Sequence, residues 1–191
     1  MDYNKLIEYI EDKRIVINDI NYYHAFDYNK QNFSSMIING IKSPILLNKK
    51  GNGHNGKFYV SLSKNENVKY SVNKILIYQP AFIIDNNIKV VKCKNFITDD
   101  IKKLSMFSRV SEFDDEYQKF LKVPKKYIVG IRYNLYKILI ECSTTEIIKQ
   151  NLLILKQIIN DLRKSGVDLP IIDLSNSTLI NQEKVLRLKI K

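Results

Sequence analysis

Residues 51–64 read GNGHNGKFYVSLSK, a glycine-rich loop that runs into a segment of alternating side chains. The loop contains three of the six glycines in the chain, which is typical of a turn. The pattern over 57–62 predicts a β-strand, and the alternation places Tyr59, Ser61 and Ser63 on one face. A single strand cannot bury its face alone, so the fold class depends on the segments on either side.

Short apolar runs typical of strands occur at 20–26, 75–79, 81–84, 88–93 and 127–133. Helical spacing occurs at 2–12, 32–40 and 144–164. The last two helices are predicted to end at Gly40 and Gly166. Because strands and helices do not alternate regularly, the order predicts an α+β domain rather than a βαβ fold. No repeat or proline-rich linker interrupts the chain, so we expect one domain over residues 1–191.

The chain is strongly basic, with a formal net charge of +11 and an isoelectric point near 9.5. One explanation is attraction to nucleic acid or another polyanion. The other is the codon usage of an AT-rich genome, which favours lysine over arginine and spreads it across a solvated surface. The 26 Lys and 5 Arg of this chain fit both explanations, and the sequence leaves both open.

Several classes of protein are excluded by composition. No run of about 18 apolar residues is present, so no membrane span is predicted. The first residues lack an apolar segment, so no cleavable signal peptide is predicted. Two cysteines, Cys93 and Cys142, are too few for a disulfide framework or a four-thiolate zinc site. We expect a cytoplasmic protein, in its own or a host cell, with no metal.

The common catalytic motifs are missing from the sequence: the dinucleotide-binding glycine pattern, the phosphate loop, the zinc-binding His-Glu-x-x-His and the nucleophile elbow. Three unusual segments remain, at 22–41, 53–70 and 108–131. In order, they contain a strand histidine, His24, a glycine-rich loop before an aromatic strand, and an acidic cluster that ends at Glu116. Taken singly, each could belong to core packing or a solvated loop, so the interpretation depends on their order and spacing.

This order resembles the ADP-ribosyltransferase superfamily, on the side of diphtheria toxin and the poly(ADP-ribose) polymerases, with its His-Tyr-Glu signature. The resemblance covers about residues 20–135. It implies an α+β fold with a split antiparallel β core and flanking helices. His24 would be the histidine of the first core strand. Tyr59 and Tyr70, eleven residues apart as in those polymerases, would hold the nicotinamide between their rings. Glu116 lies where the family has its catalytic glutamate.

The resemblance also implies a role in NAD+ binding for each residue. His24 would hold a ribose hydroxyl on the adenosine side and align the dinucleotide. The residue after it is Ala25, where the family usually has glycine, and its backbone N–H would bind the carboxamide. Ser61 and Ser63 share a strand face with Tyr59, so a hydroxyl there could also reach the carboxamide.

The implied function is transfer of a single ADP-ribose from NAD+ to a macromolecule, protein or nucleic acid, by a bacterial toxin or effector. His24, Tyr59 and Glu116 are the predicted catalytic set, with Glu112 as the alternative glutamate. A fixed carboxylate stabilises the oxocarbenium ion that develops as nicotinamide leaves. Two alternatives stay open. One is an RNA-directed enzyme of the same fold that moves an internal RNA 2′-phosphate onto NAD+, and the other is a non-enzymatic basic module that binds nucleic acid or protein.

Overall fold

The computed structural model describes residues 21–49, 59–65, 79–92, 116–141, 144–174 and 177–190. The strands in these ranges are β1 (Tyr22–Ala25), β2 (Ile41–Lys42), β3 (Tyr59–Ser63), β4 (Ala81–Ile84), β5 (Val91–Lys92), β6 (Glu116–Phe120), β7 (Lys122–Val123), β8 (Ile128–Tyr133) and β9 (Ile171–Asp173). The α-helices are α1 (Lys30–Asn39), α2 (Leu135–Glu141), α3 (Thr145–Ser165) and α4 (Gln182–Arg187). Two short 3₁₀ helices are Pro44–Leu47 and Lys125–Tyr127.

Seven of these strands form one sheet in the order β5-β6-β3-β1-β4-β8-β9. Neighbouring strands are antiparallel, except that β9 is parallel to β8. A separate two-stranded ribbon pairs β2 with β7. The described residues therefore form an α+β structure with a mostly antiparallel sheet and flanking helices, which confirms the predicted fold class at this coarse level.

Helix α3 has the strongest sequence signal because its apolar residues recur every three or four positions. The buried aliphatic side chains of this face are Ile148, Leu152, Leu155, Ile158, Ile159 and Leu162. The Thr144 hydroxyl caps the N-terminus by accepting from the N–H of Ile147. Gly166 ends the helix at a left-handed φ of 65°. Full burial of each such side chain contributes about 1.5–3 kcal/mol, so this face anchors the core.

Helix α1 is held against the same core by three phenylalanines. The ring centroids of Phe26 and Phe82 lie 4.5 Å apart, and those of Phe33 and Phe82 lie 5.8 Å apart. Phe33 belongs to α1, Phe82 to β4, and Phe26 follows β1 directly. The stack therefore fixes the helix over the end of β1, with the geometry that aromatic pairs prefer.

Among the described strand pairs of the sheet, the junction between β1 and β3 has the fewest register pairs. β1 has four register pairs with β4 but one with β3, in which Tyr23 faces Ser63. β3 has five register pairs with β6. The resemblance implies a split β core, whereas these strands form one continuous sheet with two well-paired groups, β5-β6-β3 and β1-β4-β8-β9.

The strands predicted at 20–26, 81–84 and 127–133 are confirmed as β1, β4 and β8, and the helix predicted at 32–40 is confirmed as α1, which begins two residues earlier. The helix predicted at 144–164 spans Thr145–Ser165. The run at 88–93 predicts a strand, and its described part is strand only at Val91–Lys92, because Asp85 accepts the N–H of Asn87 and forms a turn before it; Cys93 lies outside the described residues. Glu116, expected in an acidic loop, is the first residue of β6.

The sequence did not predict β2, β6, β7, β9, α2 or α4. Each has two to seven described residues, which is too short for periodicity to show. The predicted helix 2–12, the loop 51–56, most of the run 75–79, and Tyr70 and Glu112 lie outside the described residues. None of the described helices is long and apolar enough to cross a membrane.

Gly40→Ala is expected to destabilise the protein more than Gly166→Ala. Gly40 has φ +84°, and a Cβ there would lie 2.3 Å from the carbonyl oxygen of Val123 on β7, whereas Gly166 has open space around it. We expect the free energy of unfolding to fall by at least about 3 kcal/mol for Gly40→Ala and by about 1–2 kcal/mol for Gly166→Ala. Urea denaturation followed by circular dichroism measures both. Equal losses would contradict the close packing of Gly40 on β7.

Candidate functional site

The three strands that carry the predicted catalytic residues are direct neighbours in the sheet. β1 carries His24, β3 begins with Tyr59, and β6 begins with Glu116. Their order in the sheet is β6-β3-β1. The strands come from distant parts of the chain, so long-range pairing, not local sequence, makes them adjacent.

Strand register places most of the predicted site residues on one face. Ser63 stands opposite both Tyr23 on β1 and Glu116 on β6. Tyr59 and Ser61 follow at two-residue steps along β3, and directly paired residues share a face. We name this the serine face. It contains Tyr23, Ala25, Tyr59, Ser61, Ser63 and the register position of Glu116.

His24 lies on the other face of the sheet. Its register partner on β4 is Phe82, which belongs to the main hydrophobic core. The resemblance assigns His24 on β1 and Tyr59 on β3 to one bound NAD+. These two strands are hydrogen-bonded neighbours, joined where Tyr23 faces Ser63, and they direct the two residues to opposite faces. A ligand that touches both must pass around the end of the β1–β3 junction.

The His24 imidazole links β1 to β3 at this junction. Its Nδ1 lies 2.8 Å from the main-chain carbonyl oxygen of Ser61. A carbonyl only accepts, so Nδ1 carries the proton of the neutral ring and Nε2 is left as an acceptor. Burial lowers the pKa of His24, and the hydrogen bond to Ser61 only partly opposes that shift. The ring is therefore neutral at neutral pH, and Nε2 is suited to accept from a ligand hydroxyl.

A cavity of about 320 Å³ opens beside His24. It lies among the end of β1, helix α1 and the segment that contains β2, and its described lining includes Asn32, Ser35, Lys42 and Lys49. This volume is at the lower end of the range for small-molecule sites. The lining also includes the Asp27 carboxylate, so the two lysines leave a net positive charge beside a neutral histidine, which suits a ligand that carries both phosphates and hydroxyls.

The segment that follows β1, which lines the cavity with Phe26 and Asp27, is anchored at three consecutive residues. The N–H of Phe26 donates to a main-chain carbonyl just before β4, at 3.0 Å. The Asp27 carboxylate accepts from the side-chain amide of Gln79 at 2.7 Å. The Tyr28 hydroxyl donates to Asp161 on α3 at 2.7 Å. Desolvation, and then this hydrogen bond, raise the pKa of Tyr28. The wall is therefore held in place before any ligand binds.

The two serines of β3 differ in their hydrogen bonding. Ser63 Oγ accepts from the N–H of Asn65 at 2.9 Å and so closes the turn after the strand. Ser61 Oγ is buried and has no hydrogen-bond partner in the part of the chain that the structure describes. A buried polar group without a partner is uncommon. Ser61 is therefore the better candidate for a ligand contact, and the sequence alone cannot separate the two.

The remaining predicted residues are placed as follows. Tyr59 is 5% exposed, and its ring packs against that of Phe120 with the centroids 5.9 Å apart. Glu116 begins β6, two residues along the ladder from the level of Ser61, which is about 7 Å at the usual rise of a strand. Tyr70 and the alternative Glu112 are outside the described residues.

Sequence reasoning missed Arg132, a buried cation on the serine face. Arg132 is 2% exposed and stands opposite Ala81, which in turn faces Ala25. Its guanidinium carbon lies 5.6 Å from the centroid of the Tyr23 ring, within the range of a cation–π contact. The available signal was an arginine within the apolar run 127–133.

Sequence reasoning also missed Lys42 and Lys49, because nothing local distinguishes them from the other lysines of the chain. Their importance comes from their position in the wall of the cavity. Among the described residues, no group of three or more His, Cys, Asp or Glu is placed to hold a metal ion.

Ser61→Ala is expected to leave the free energy of unfolding of the ligand-free protein unchanged within about 0.5 kcal/mol, or to raise it, because no described hydrogen bond is lost. Ser63→Ala removes the acceptor of the Asn65 N–H and should cost about 1 kcal/mol. Paired urea titrations measure the difference. A larger loss for Ser61→Ala than for Ser63→Ala would contradict the assignment of these two hydroxyls.

The folded protein should lose stability as the pH falls below 6.5, the ordinary pKa of histidine, because the pKa of folded His24 lies lower. Between pH 6.5 and the lower pKa of the folded protein, the unfolded chain binds the proton more readily than the folded one. The free energy of unfolding therefore decreases as the pH is lowered through this range. His24→Asn cannot titrate and should flatten this part of the profile. Thermal denaturation between about pH 5 and 7 tests both proteins. If the stability of His24→Asn depended on pH as steeply as that of the unmodified protein, the prediction would be wrong.

No protein-family model matches this chain, and no curated protein or solved structure is significantly similar to it. These comparisons therefore do not test the family that His24, Tyr59 and Glu116 suggest.

Proposed function

We propose that this chain is an NAD+-dependent mono-ADP-ribosyltransferase that modifies a macromolecule. The adjacency of β1, β3 and β6 carries the proposal, because it brings the strands of His24, Tyr59 and Glu116 side by side. Residues chosen by their order in the sequence need not fall on neighbouring strands of a seven-stranded sheet. That they do so supports the resemblance from which they were selected. A small basic transferase of this type would act in a cytoplasm as a bacterial toxin or effector.

The reaction breaks the N-glycosidic bond between nicotinamide and C1′ of the ribose. The electron pair of that bond leaves with nicotinamide, which becomes neutral, while C1′ takes on oxocarbenium character. An oxygen or nitrogen of the acceptor attacks C1′ and loses its proton. A preorganised carboxylate near the ribose lowers the barrier by stabilising the developing positive charge. We assign this role to Glu116.

The nicotinamide end of NAD+ is assigned to the serine face. Tyr59 offers a ring that is already held by packing, and a stacked aromatic pair contributes about 0.5–1.5 kcal/mol beyond area burial. The Ser61 hydroxyl and the backbone N–H of Ala25 are assigned to the carboxamide. Ser63 is assigned to the turn instead, since its oxygen already accepts a backbone N–H. Tyr70 stays the predicted second ring.

The adenosine end is assigned to the cavity beside His24. The acceptor nitrogen Nε2 suits a ribose hydroxyl, and Lys42 and Lys49 suit the diphosphate. The dinucleotide then bends around the end of the β1–β3 junction to reach the serine face. The anchored wall after β1 supports binding, because a wall that is already ordered loses little further entropy when the ligand arrives.

Glu116→Gln is expected to slow single-turnover release of nicotinamide from NAD+ by about 100-fold or more, because the developing charge loses its carboxylate. The rise in melting temperature with NAD+ should stay close to that of the unmodified protein, since the amide keeps the shape of the side chain. Glu112→Gln is the matched control and should have the smaller effect on the rate.

Two results would count against this assignment. An inactive Glu112→Gln beside an active Glu116→Gln would move the catalytic role to the alternative glutamate. The proposed function would be overturned if the unmodified, folded protein showed no thermal shift at millimolar NAD+ and released no nicotinamide.

A further inference from the structure

We infer that a single-stranded nucleic acid binds across the lysine face, defined as Lys42, Lys49, Lys122 and Lys125, and presents the acceptor for ADP-ribose. The transfer step rests on the proposed function. The binding step rests on the charges and contacts of the β2–β7 ribbon and is tested separately.

The β2–β7 ribbon brings the lysine face together. Lys42 on β2 stands directly opposite Lys122 on β7. The backbone of Lys125 lies against Gly40, just before β2. Lys42 and Lys49 line the cavity at the end of β1, so the lysine face adjoins the cavity to which we assign NAD+. Lys49, Lys122 and Lys125 are exposed, and Lys42 is half-buried.

The charge on this ribbon points to a polyanionic ligand. Like charges directly opposite each other destabilise an antiparallel pair, and the β2–β7 ladder has two register pairs, one of them between lysines. The segments 28–49 and 117–133, which form the ribbon and flank it in sequence, contain no Asp or Glu. A row of phosphates supplies the counter-charge that these segments lack.

Exposed apolar groups beside the lysines favour unpaired bases over a duplex or an acidic protein. Phe120, at the end of β6 before the turn into β7, is 49% exposed. The carbonyl of Leu121 accepts the N–H of Ser43 at 2.7 Å, which brings the 3₁₀ helix Pro44–Leu47 next to this turn. In that helix Leu46 is 44% exposed. The Phe120 ring packs against Tyr59, stays half exposed, and lies between Lys119 and Lys122 in sequence. Exposed aromatic rings combined with basic residues bind single strands, because an unpaired base has a face free for stacking.

The test of binding is fluorescence anisotropy with a fluorescein-labelled single strand of about 12 nucleotides, as RNA and as DNA, at several salt concentrations. The double variant Lys122→Gln/Lys125→Gln should weaken binding and reduce the slope of log K against log salt by about 1.4, because each neutralised phosphate contributes about 0.7. The double variant Lys164→Gln/Lys189→Gln removes two exposed lysines outside these segments and is the matched control, with an unchanged slope expected.

The choice of a single strand is tested at Phe120. Phe120→Ala should weaken binding about tenfold, whereas Phe120→Trp should retain it, because stacking requires a ring. Unchanged binding in Phe120→Ala overturns the single-strand assignment. A duplex of the same sequence, or polyglutamate of the same charge, that competes as well as the single strand also overturns it.

Transfer is measured with NAD+ labelled in its adenine portion and the same oligonucleotide. The inference is supported if the unmodified protein labels the oligonucleotide, and if Lys122→Gln/Lys125→Gln does not label it but still shows the thermal shift with NAD+. The same labelled NAD+ is also added to a cell lysate that contains nucleic acid. Label on protein alone in that lysate makes the acceptor a protein and overturns the inference. Nicotinamide release without oligonucleotide binding overturns this inference alone. Oligonucleotide binding without nicotinamide release overturns the proposed function and supports the binding step.

Discussion

The hydrogen bond from His24 Nδ1 to the carbonyl oxygen of Ser61 reinforces the junction on which the sheet depends. β1 and β3 share one register pair there, and the junction joins three strands on one side to four on the other. A side chain that donates to a strand carbonyl adds a link where the ladder itself is short. The two groups of strands thus stay joined, and the end of β1 is left beside a cavity rather than closed by a full ladder.

Among the described residues, the larger hydrophobic core lies on the face away from the serines. α3 covers the sheet with aliphatic side chains, and the stack of Phe26, Phe33 and Phe82 holds α1 over β1. A core of this extent tolerates a buried polar group elsewhere, such as the Ser61 hydroxyl, which has no hydrogen-bond partner among the described residues. Local rules are most often broken where a structure binds something, and Ser61 lies on the serine face.

The net charge of this protein does not by itself indicate a ligand, whereas the local arrangement of its lysines does. The +11 of the whole chain is explained as well by codon usage as by a polyanionic partner. Codon usage does not predict where lysines meet, however, and the β2–β7 ribbon sets Lys42 against Lys122 beside the cavity. The position of these lysines, rather than their number, links the basic character of the chain to a place where transfer could occur.

The sequence by itself determined the α+β class, the extent of α3 and the end of α1 at Gly40, because helical periodicity and a left-handed glycine are local properties of the chain. It also selected His24 and Tyr59 as candidates from residue type and order. Only the tertiary structure decided that their strands are neighbours and that the two side chains lie on opposite faces, because register is set by pairing between distant segments. The tertiary structure also distinguishes the hydroxyls of Ser61 and Ser63. Alternation puts both on one face, but only Ser63 Oγ accepts a hydrogen bond from the described residues around it.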